Sequence, residues 1–223
     1  PQQYGIPQVY GENGGPGGLF HSLRIIPPIL EICQKIVDFA PDATVFNYSN
    51  PMSRICTTVH RKFPNLNFIG MCHEIASLER HLAPMLDQPR QNIRFRAGGL
   101  NHFSVLSDVR YVDSGLDAYE DVRARAEGYF GKLPGYSEIL NASRISGHSV
   151  ETEGWMDIDL SRIKDVRPWS DRWLFRDSLD RFGCLPITYD SHFGKYIQWA
   201  NDASDHCGIL DFYTHYRNYL GKE

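Results

Sequence analysis

Apolar positions recur at helical spacing between residues 29 and 40, where Ile29, Ile32, Cys33, Ile36, Val37 and Ala40 trace one face and are assigned to the core. Pro27 and Pro28 suit the first turn of that helix, where the N–H groups they lack would be unpaired in any case. Pro41-Asp42 breaks the pattern. The following run, Ala43-Thr44-Val45-Phe46-Asn47-Tyr48, has the length and apolar content of a buried strand and closes on Ser49-Asn50-Pro51-Met52. A second helix is predicted from Ser53 to Lys62, stopped by Pro64-Asn65. Asn67-Phe68-Ile69-Gly70-Met71 is another short strand and runs into Cys72-His73-Glu74 at the start of a third helix. Helices and strands alternating in this order predict parallel strands in an α/β sheet. Such sheets bind ligands beyond the carboxyl ends of their strands, where Asn50 and Cys72 both fall.

From about residue 90 the rhythm changes. Asn92 to Ala97 and His102 to Val112 read as antiparallel strands joined by a turn at Gly98-Gly99. Helices are predicted over Ala118 to Tyr129, 171 to 183, and Tyr196 to Asp202, with an irregular stretch reaching Val166. The fold class is therefore α/β: the second half of a Rossmann-like parallel sheet over residues 1–85, then part of an α+β domain over residues 86–223.

Composition narrows the function classes. A formal charge of −4 on 223 residues supplies no overall attraction to nucleic acid or to anionic lipid. No apolar run approaches the roughly 20 residues that span a bilayer. The five cysteines, at 33, 56, 72, 184 and 207, form neither a disulfide framework nor a CxxC knuckle, so reduced thiols and a cytoplasmic location are expected. The chain opens on Pro1 without an initiator Met and closes directly after an aromatic run, which reads as an internal piece of a longer protein.

Four clusters concentrate reactive side chains: Asn50-Pro51-Met52, Cys72-His73-Glu74, Asn101-His102 and Tyr189-Asp190-Ser191-His192. Cys72 and His102 are acceptable ligands for Mn, Fe, Co or Zn, but a cysteine and a histidine are also ordinary core residues, and a nucleophile pair of Cys72 with His102 or His73 is open though without a local family signature. Other motifs fail on spacing. His73-Glu74-Ile75-Ala76-Ser77 has a serine where a zincin helix needs its second histidine, and no GxSxG elbow is present. The glycine-rich segment Gly11 to Gly18 lacks the Lys-Ser/Thr of a phosphate loop and reads as a flexible turn beside a site. Arg90, Arg94 and Arg96 read as a solvated strand face.

Taken in order, these clusters resemble glycoside hydrolase family 4, the NAD- and Mn-dependent glycosidases built on a lactate/malate-dehydrogenase-like fold. The resemblance rests on Asn47-Tyr48-Ser49-Asn50-Pro51-Met52, on Gly70-Met71-Cys72-His73 and on Gly99-Leu100-Asn101-His102-Phe103, with Leu23-Arg24-Ile25-Ile26-Pro27 entering the long helix. It covers most of residues 1–110 and returns near 180–200, while residues 115–170 match nothing in the pattern. It implies that Cys72 and His102 hold Mn2+ or another divalent metal. It further assigns Asn50, Arg54, Asn101 and His192 to the substrate, and Asn50 and Glu12 to NAD.

The implied reaction departs from the usual paired-carboxylate route. NAD takes a hydride from C3 of the sugar, and the metal polarises the resulting ketone. A base, Tyr189 or Asp190, removes the C2 proton; an acid, His73, assists departure of the C1 oxygen; water adds and the steps reverse. The tetrapeptide Cys72-His73-Glu74-Ile75 is similar to the Cys-His-Glu-Val of the uronidase branch, so α-galacturonides are the first expected substrate, with Arg54 a candidate for the carboxylate. α-Glucuronidase, α-galactosidase and α-glucosidase are the alternatives within the family. The family's NAD fingerprint strand and C-terminal helices have no counterpart here, which predicts weak turnover by these residues alone and a homo-oligomer for the longer protein. Two other readings are a lactate/malate-type NAD dehydrogenase, which would need no Cys ligand, and an inactive binding fragment.

Overall fold

A computed structural model of the chain describes residues 4–5, 12–135, 138–139, 142, 163–197, 200 and 203–205. Helix α1 (Gly15–Phe39) leads into strand β1 (Thr44–Asn47), helix α2 (Met52–Lys62), strand β2 (Asn67–Gly70) and helix α3 (His73–Leu86). β1 and β2 are parallel, in register from Thr44 opposite Asn67 to Asn47 opposite Gly70. The connection between them is α2, as a parallel pair requires. The antiparallel pair β3 (Ile93–Leu100) and β4 (Phe103–Tyr111) follows, then α4 (Tyr119–Phe130), α5 (Trp173–Phe182), the single turn α6 (Asp190–Phe193) and a 3-10 turn (Gly194–Tyr196).

Four sequence expectations are corrected. The first helix begins at Gly15 rather than at the proline pair: Gly14 is extended at its N-cap, Pro16 occupies the first turn, and Pro27 and Pro28 lie inside. Each interior proline removes one rung of the hydrogen-bond ladder. Ile32 of the expected core stripe is exposed, and so is Ala40, whereas Cys33 is buried. The hairpin does not turn at Gly98-Gly99. Pairing runs through both glycines to Leu100 opposite Phe103, after a bulge at Arg96/Ala97, and the two-residue turn is Asn101-His102. The helical turns near the end come earlier than expected, over Asp190–Phe193 and Gly194–Tyr196, and residues 198–199 and 201–202 of the expected last helix lie outside the described residues.

Two main cores hold these elements. Cys33 of α1, Ile55 and Val59 of α2, and Phe63, Leu66 and Phe68 form the first. The second joins Leu78, Leu82, Met85 and Leu86 of α3 to Leu106 and Val109 of β4, Val122, Ala126 and Phe130 of α4, and Phe175 of α5. Helix α3 thus starts at the carboxyl end of β2 and packs into the second core. Its first turn is carried at the junction between the parallel strands and the hairpin.

His81 of α3 lies against this second core, edge-on to the Tyr129 and Phe130 rings, with its Nδ1 3.1 Å from the Tyr129 hydroxyl. Burial, with the Arg172 and Arg80 charges adding to it, pushes its pKa down from 6.5 to about 4. The unfolded chain therefore binds the proton more tightly than the folded one. The stabilisation by neutral His81 is fully present above the unfolded value and is lost as pH falls from 6.5 towards 4, by roughly 3 kcal/mol. Urea unfolding of wild type and His81→Gln at neutral pH and at the acid end of this window tests the assignment. The gap between the two proteins should narrow or reverse on acidification; a constant gap would place the titration elsewhere.

Candidate active site

Cys72, the second residue after β2, and the hairpin turn face each other across a cleft of about 180 Å³. Cys72 is the N-cap of α3, and Glu74 lies in the first turn of that helix. His102 sits at the second position of the β3–β4 turn with φ of 65°, a left-handed conformation uncommon outside glycine. The turn is held from two sides: the Asn101 N–H donates to Ser53 Oγ at 2.9 Å, and the Tyr196 hydroxyl donates to the Asn101 carbonyl at 2.6 Å. One ligand atom from each of Cys72, Glu74 and His102 lies within 4.8 Å of the other two. A thiol, a carboxylate and an imidazole gathered this closely suit a divalent transition metal.

The electrostatics support this donor set. Burial, followed by the Lys195 and His73 charges, pushes the His102 pKa down to about 3, so its imidazole is neutral and has a lone pair to give. The Asn13 amide lies 3.0 Å from His102 Nδ1 and fixes the ring. Burial raises the Cys72 thiol, opposed by the Glu74 backbone N–H. A bound cation would reverse that shift and favour the thiolate. Glu74 is pushed up to about 7, chiefly by burial. Its Oε1 accepts from the Thr188 hydroxyl at 2.7 Å and lies 3.4 Å from His192 Nε2. The His102 and His192 rings meet edge to face at 4.5 Å.

On the other side, Glu12 approaches His102 Nδ1 at 3.6 Å and pairs with Lys195 Nζ at 2.6 Å. The Lys195 side chain is 2% exposed, so this is an ion pair taken out of water. The glycine segment makes the approach feasible. A Cβ on Gly14 would overlap the Lys195 carbonyl oxygen, and one on Gly18 would overlap the backbone of Asn13.

The structure thus gathers Cys72, His102, His192, Asn101 and Glu12. Exposed His73 follows Cys72 as the first residue of α3, and His102 and His192 are both lowered by burial first, then by the Lys195 charge, with His73 contributing least. Asn50 lies at the end of β1, its Oδ1 accepting from the Met52 N–H at 3.2 Å. Arg54 donates to Ser22 Oγ at 3.0 Å, facing a second hollow lined by Asn13, Ser53 and Tyr196 rather than the Cys72 cleft. Neither expected base lines that cleft. The Tyr189 ring stacks under the Arg172 guanidinium, 4.6 Å away. Asp190 is 0% exposed, and its carboxylate accepts the N–H groups of Leu174, Phe175 and Asp205 at 2.8 to 2.9 Å. Asp190 thereby caps the first turn of α5 from outside that helix. Three site residues carry no motif signal in the sequence: Thr188, Lys195 and Asn13. Glu74 belongs to the Cys72-His73-Glu74 cluster, but the sequence assigns it no role.

A parallel pair whose carboxyl ends lead to a thiol and imidazole cluster is the arrangement of a Rossmann-type domain with a candidate metal centre. Residues 1–88 match the family 4 glycosyl hydrolase model and residues 97–222 match the C-terminal domain model of the same family, and the chain belongs to family 4 of the glycosyl hydrolases. It is 68% identical over 222 residues to an α-glucosidase of Erwinia rhapontici, covering 99% of this chain and 49% of that protein. An α-galacturonidase of Thermoanaerobacterium saccharolyticum is 37% identical, over 88% of this chain and 39% of the relative. Among solved structures, a Bacillus subtilis protein described as a glucosidase superposes with a TM-score of 0.68 at 26% identity, over 100% of this chain and 48% of that one. A Thermotoga maritima 6-phospho-β-glucosidase, solved with manganese, NAD+ and glucose-6-phosphate, gives 0.50 at 28% identity, over 57% and 30%. The chain spans about half the length of the curated relatives it matches. No helix among the described residues is long and apolar enough to cross a membrane.

Proposed function

We propose that these residues form the central part of an NAD- and Mn2+-dependent glycosidase acting on unphosphorylated α-glycosides, with α-glucosides preferred. The carrying observation is the convergence of Cys72, Glu74 and His102 within 4.8 Å at the carboxyl end of the parallel strands. In this reading residues 1–85 belong to the dinucleotide-binding half and residues 86–223 to the catalytic half. Cys72 and His102 hold the metal. When bound, NAD supplies a hydride acceptor and the metal a Lewis acid for the sugar oxygen.

The chain's own residues bind and orient around that centre. In this reading Asn50, Asn101 and His192 bind the sugar hydroxyls, Asn101 from the wall of the cleft, and Asn50 and Glu12 contact NAD. Exposed His73, directly after Cys72, carries the leaving-oxygen proton in the same reading. Of the two expected bases, Asp190 is taken up in capping α5, which leaves Tyr189 as the candidate for the C2 proton. Neutral His102 and the fixed Asn101 turn keep the centre from rearranging as charge develops, which is how a preorganised site lowers a barrier.

Two observations favour a neutral sugar. No arginine or lysine is among the described residues lining the Cys72 cleft, and Arg54 is turned to the other hollow. The 68% identity to an α-glucosidase points the same way. The Cys72-His73-Glu74-Ile75 tetrapeptide and the 37% identity to an α-galacturonidase support galacturonides as the second reading. Assay of the full-length protein with aryl α-glucoside and aryl α-galacturonide, with and without NAD and Mn2+, decides between them. Cleavage of the glucoside at least ten times faster (about 1.4 kcal/mol of discrimination), dependent on both additions, is expected. Preference for the galacturonide would overturn the sugar assignment, and cleavage indifferent to NAD would overturn the mechanism.

A further inference from the structure

The centre holds one oxygen that the reading above leaves unused. Glu74 is 4% exposed, and its Oε2 has no hydrogen-bond partner among the described residues. The other oxygen is fixed by the Thr188 hydroxyl at 2.7 Å, a contact that joins positions 114 residues apart. His192 Nε2 stands 3.4 Å from that same oxygen. One carboxylate oxygen is therefore anchored and its partner is held bare in a place where water is largely excluded. A bare buried carboxylate oxygen costs several kcal/mol unless a donor or a cation meets it. The buried Lys195 Nζ lies 2.6 Å from Glu12, and its charge also acts on Glu74.

We propose that Glu74 is a third protein ligand of the divalent metal, binding through Oε2 beside Cys72 Sγ and His102. The assignment rests on the proposed metal site and deepens it. Helix α3 supplies the geometry: Cys72 caps its N-terminus, and Glu74, two residues on, projects from its first turn, so thiol and carboxylate come from one rigid element while the imidazole comes from the facing hairpin turn. Thr188 and His192, from the segment before and within α6, orient the carboxylate as outer partners orient ligands in other metal sites. The chemical consequence is a change in the character of the site. A thiolate and an imidazole alone favour soft metals; an anionic oxygen adds a hard donor, which raises the affinity for Mn2+ relative to Zn2+. With thiolate and carboxylate together the protein neutralises a dication before any substrate oxygen arrives.

The test is Mn2+ and Zn2+ affinity of the purified full-length protein without substrate, measured by calorimetry. In Glu74→Gln the Mn2+ affinity should fall by about 10- to 100-fold, the size of loss that disturbing a metal site's partners produces. Zn2+ affinity should fall less, and the melting temperature of the metal-free protein should not drop. Thr188→Val, which keeps the carboxylate and frees it to turn, should give a smaller loss of the same sign, and it serves if the Gln variant misfolds. Unchanged Mn2+ affinity in a folded Glu74→Gln protein overturns the ligand assignment while leaving the metal site standing. Absence of Mn2+ binding by the wild type overturns both. Lost turnover with unchanged metal affinity would make Glu74 a proton carrier and would equally overturn the proposal.

Discussion

Replacement of Cys72 by alanine should abolish metal binding while leaving the fold intact, and glycoside cleavage by the full-length protein should fall by about three orders of magnitude. The first part follows from the donor set. Without the thiolate, Glu74 and His102 remain, and a two-ligand site on separate elements loses its only soft anionic donor. Loss of a first ligand should cost more than the 10- to 100-fold typical of outer partners. Lewis-acid stabilisation of developing oxyanion charge is worth several kcal/mol, and each 1.36 kcal/mol is a factor of about ten in rate, which sets the expected loss. The fold should survive because Cys72 belongs to neither core and is only half-buried, at a helix N-cap. Measurement of Mn2+ content, turnover and melting temperature on one preparation separates the readings. A lactate/malate-type dehydrogenase would keep its activity in this variant, and an inactive binding fragment would have shown no Mn2+ to lose.

How far the sequence already carried these conclusions depends on the range of the interactions involved. The strands Thr44–Asn47 and Asn67–Gly70, and the helix between them, follow from local apolar runs bounded by Pro and Asn, and they appear where the pattern puts them. The start of α1 was hidden because two prolines at 27 and 28 imitate a helix start, whereas the helix begins at a glycine and carries Pro16 in its own first turn. The hairpin turn was displaced for a similar reason. Glycines usually mark turns, but here strand pairing continues through Gly98 and Gly99, and the left-handed position falls to His102. No local rule assigns that conformation to histidine. In the candidate site, motif order singled out Cys72 and His102, and the structure places the two together. Thr188, Lys195 and Asn13 were not, since each enters through a contact spanning 89 to 183 residues. Tyr189 and Asp190 show the limit of motif transfer: position near a site is inherited with the pattern, but what a carboxylate touches is decided by packing.

Asp190 carries the second large expected effect, and it is an effect on stability. Its two oxygens accept N–H groups from Leu174 and Phe175, the second and third residues of α5, and from Asp205 in a separate segment. These are donors that a helix start leaves unpaired, and burial denies them water. In Asp190→Ala all three lose their acceptor at once. At 1 to 3 kcal/mol for each buried unsatisfied group, less what relaxation recovers, unfolding free energy should fall by roughly 3 to 5 kcal/mol. Asp190→Asn keeps one carbonyl oxygen and should lose about half as much. Urea unfolding monitored through the tryptophans, of which Trp169 and Trp173 flank this turn, reports the change directly. A general base would behave in the opposite way: the isosteric Asn variant would hold its stability and lose turnover by orders of magnitude. If the Asn variant unfolds at the wild-type urea concentration yet is catalytically dead, the capping assignment is wrong and Asp190 returns to the chemistry. If stability falls and the remaining folded protein turns over at the normal rate, the capping role stands and Tyr189 is left as the residue to test for the C2 proton.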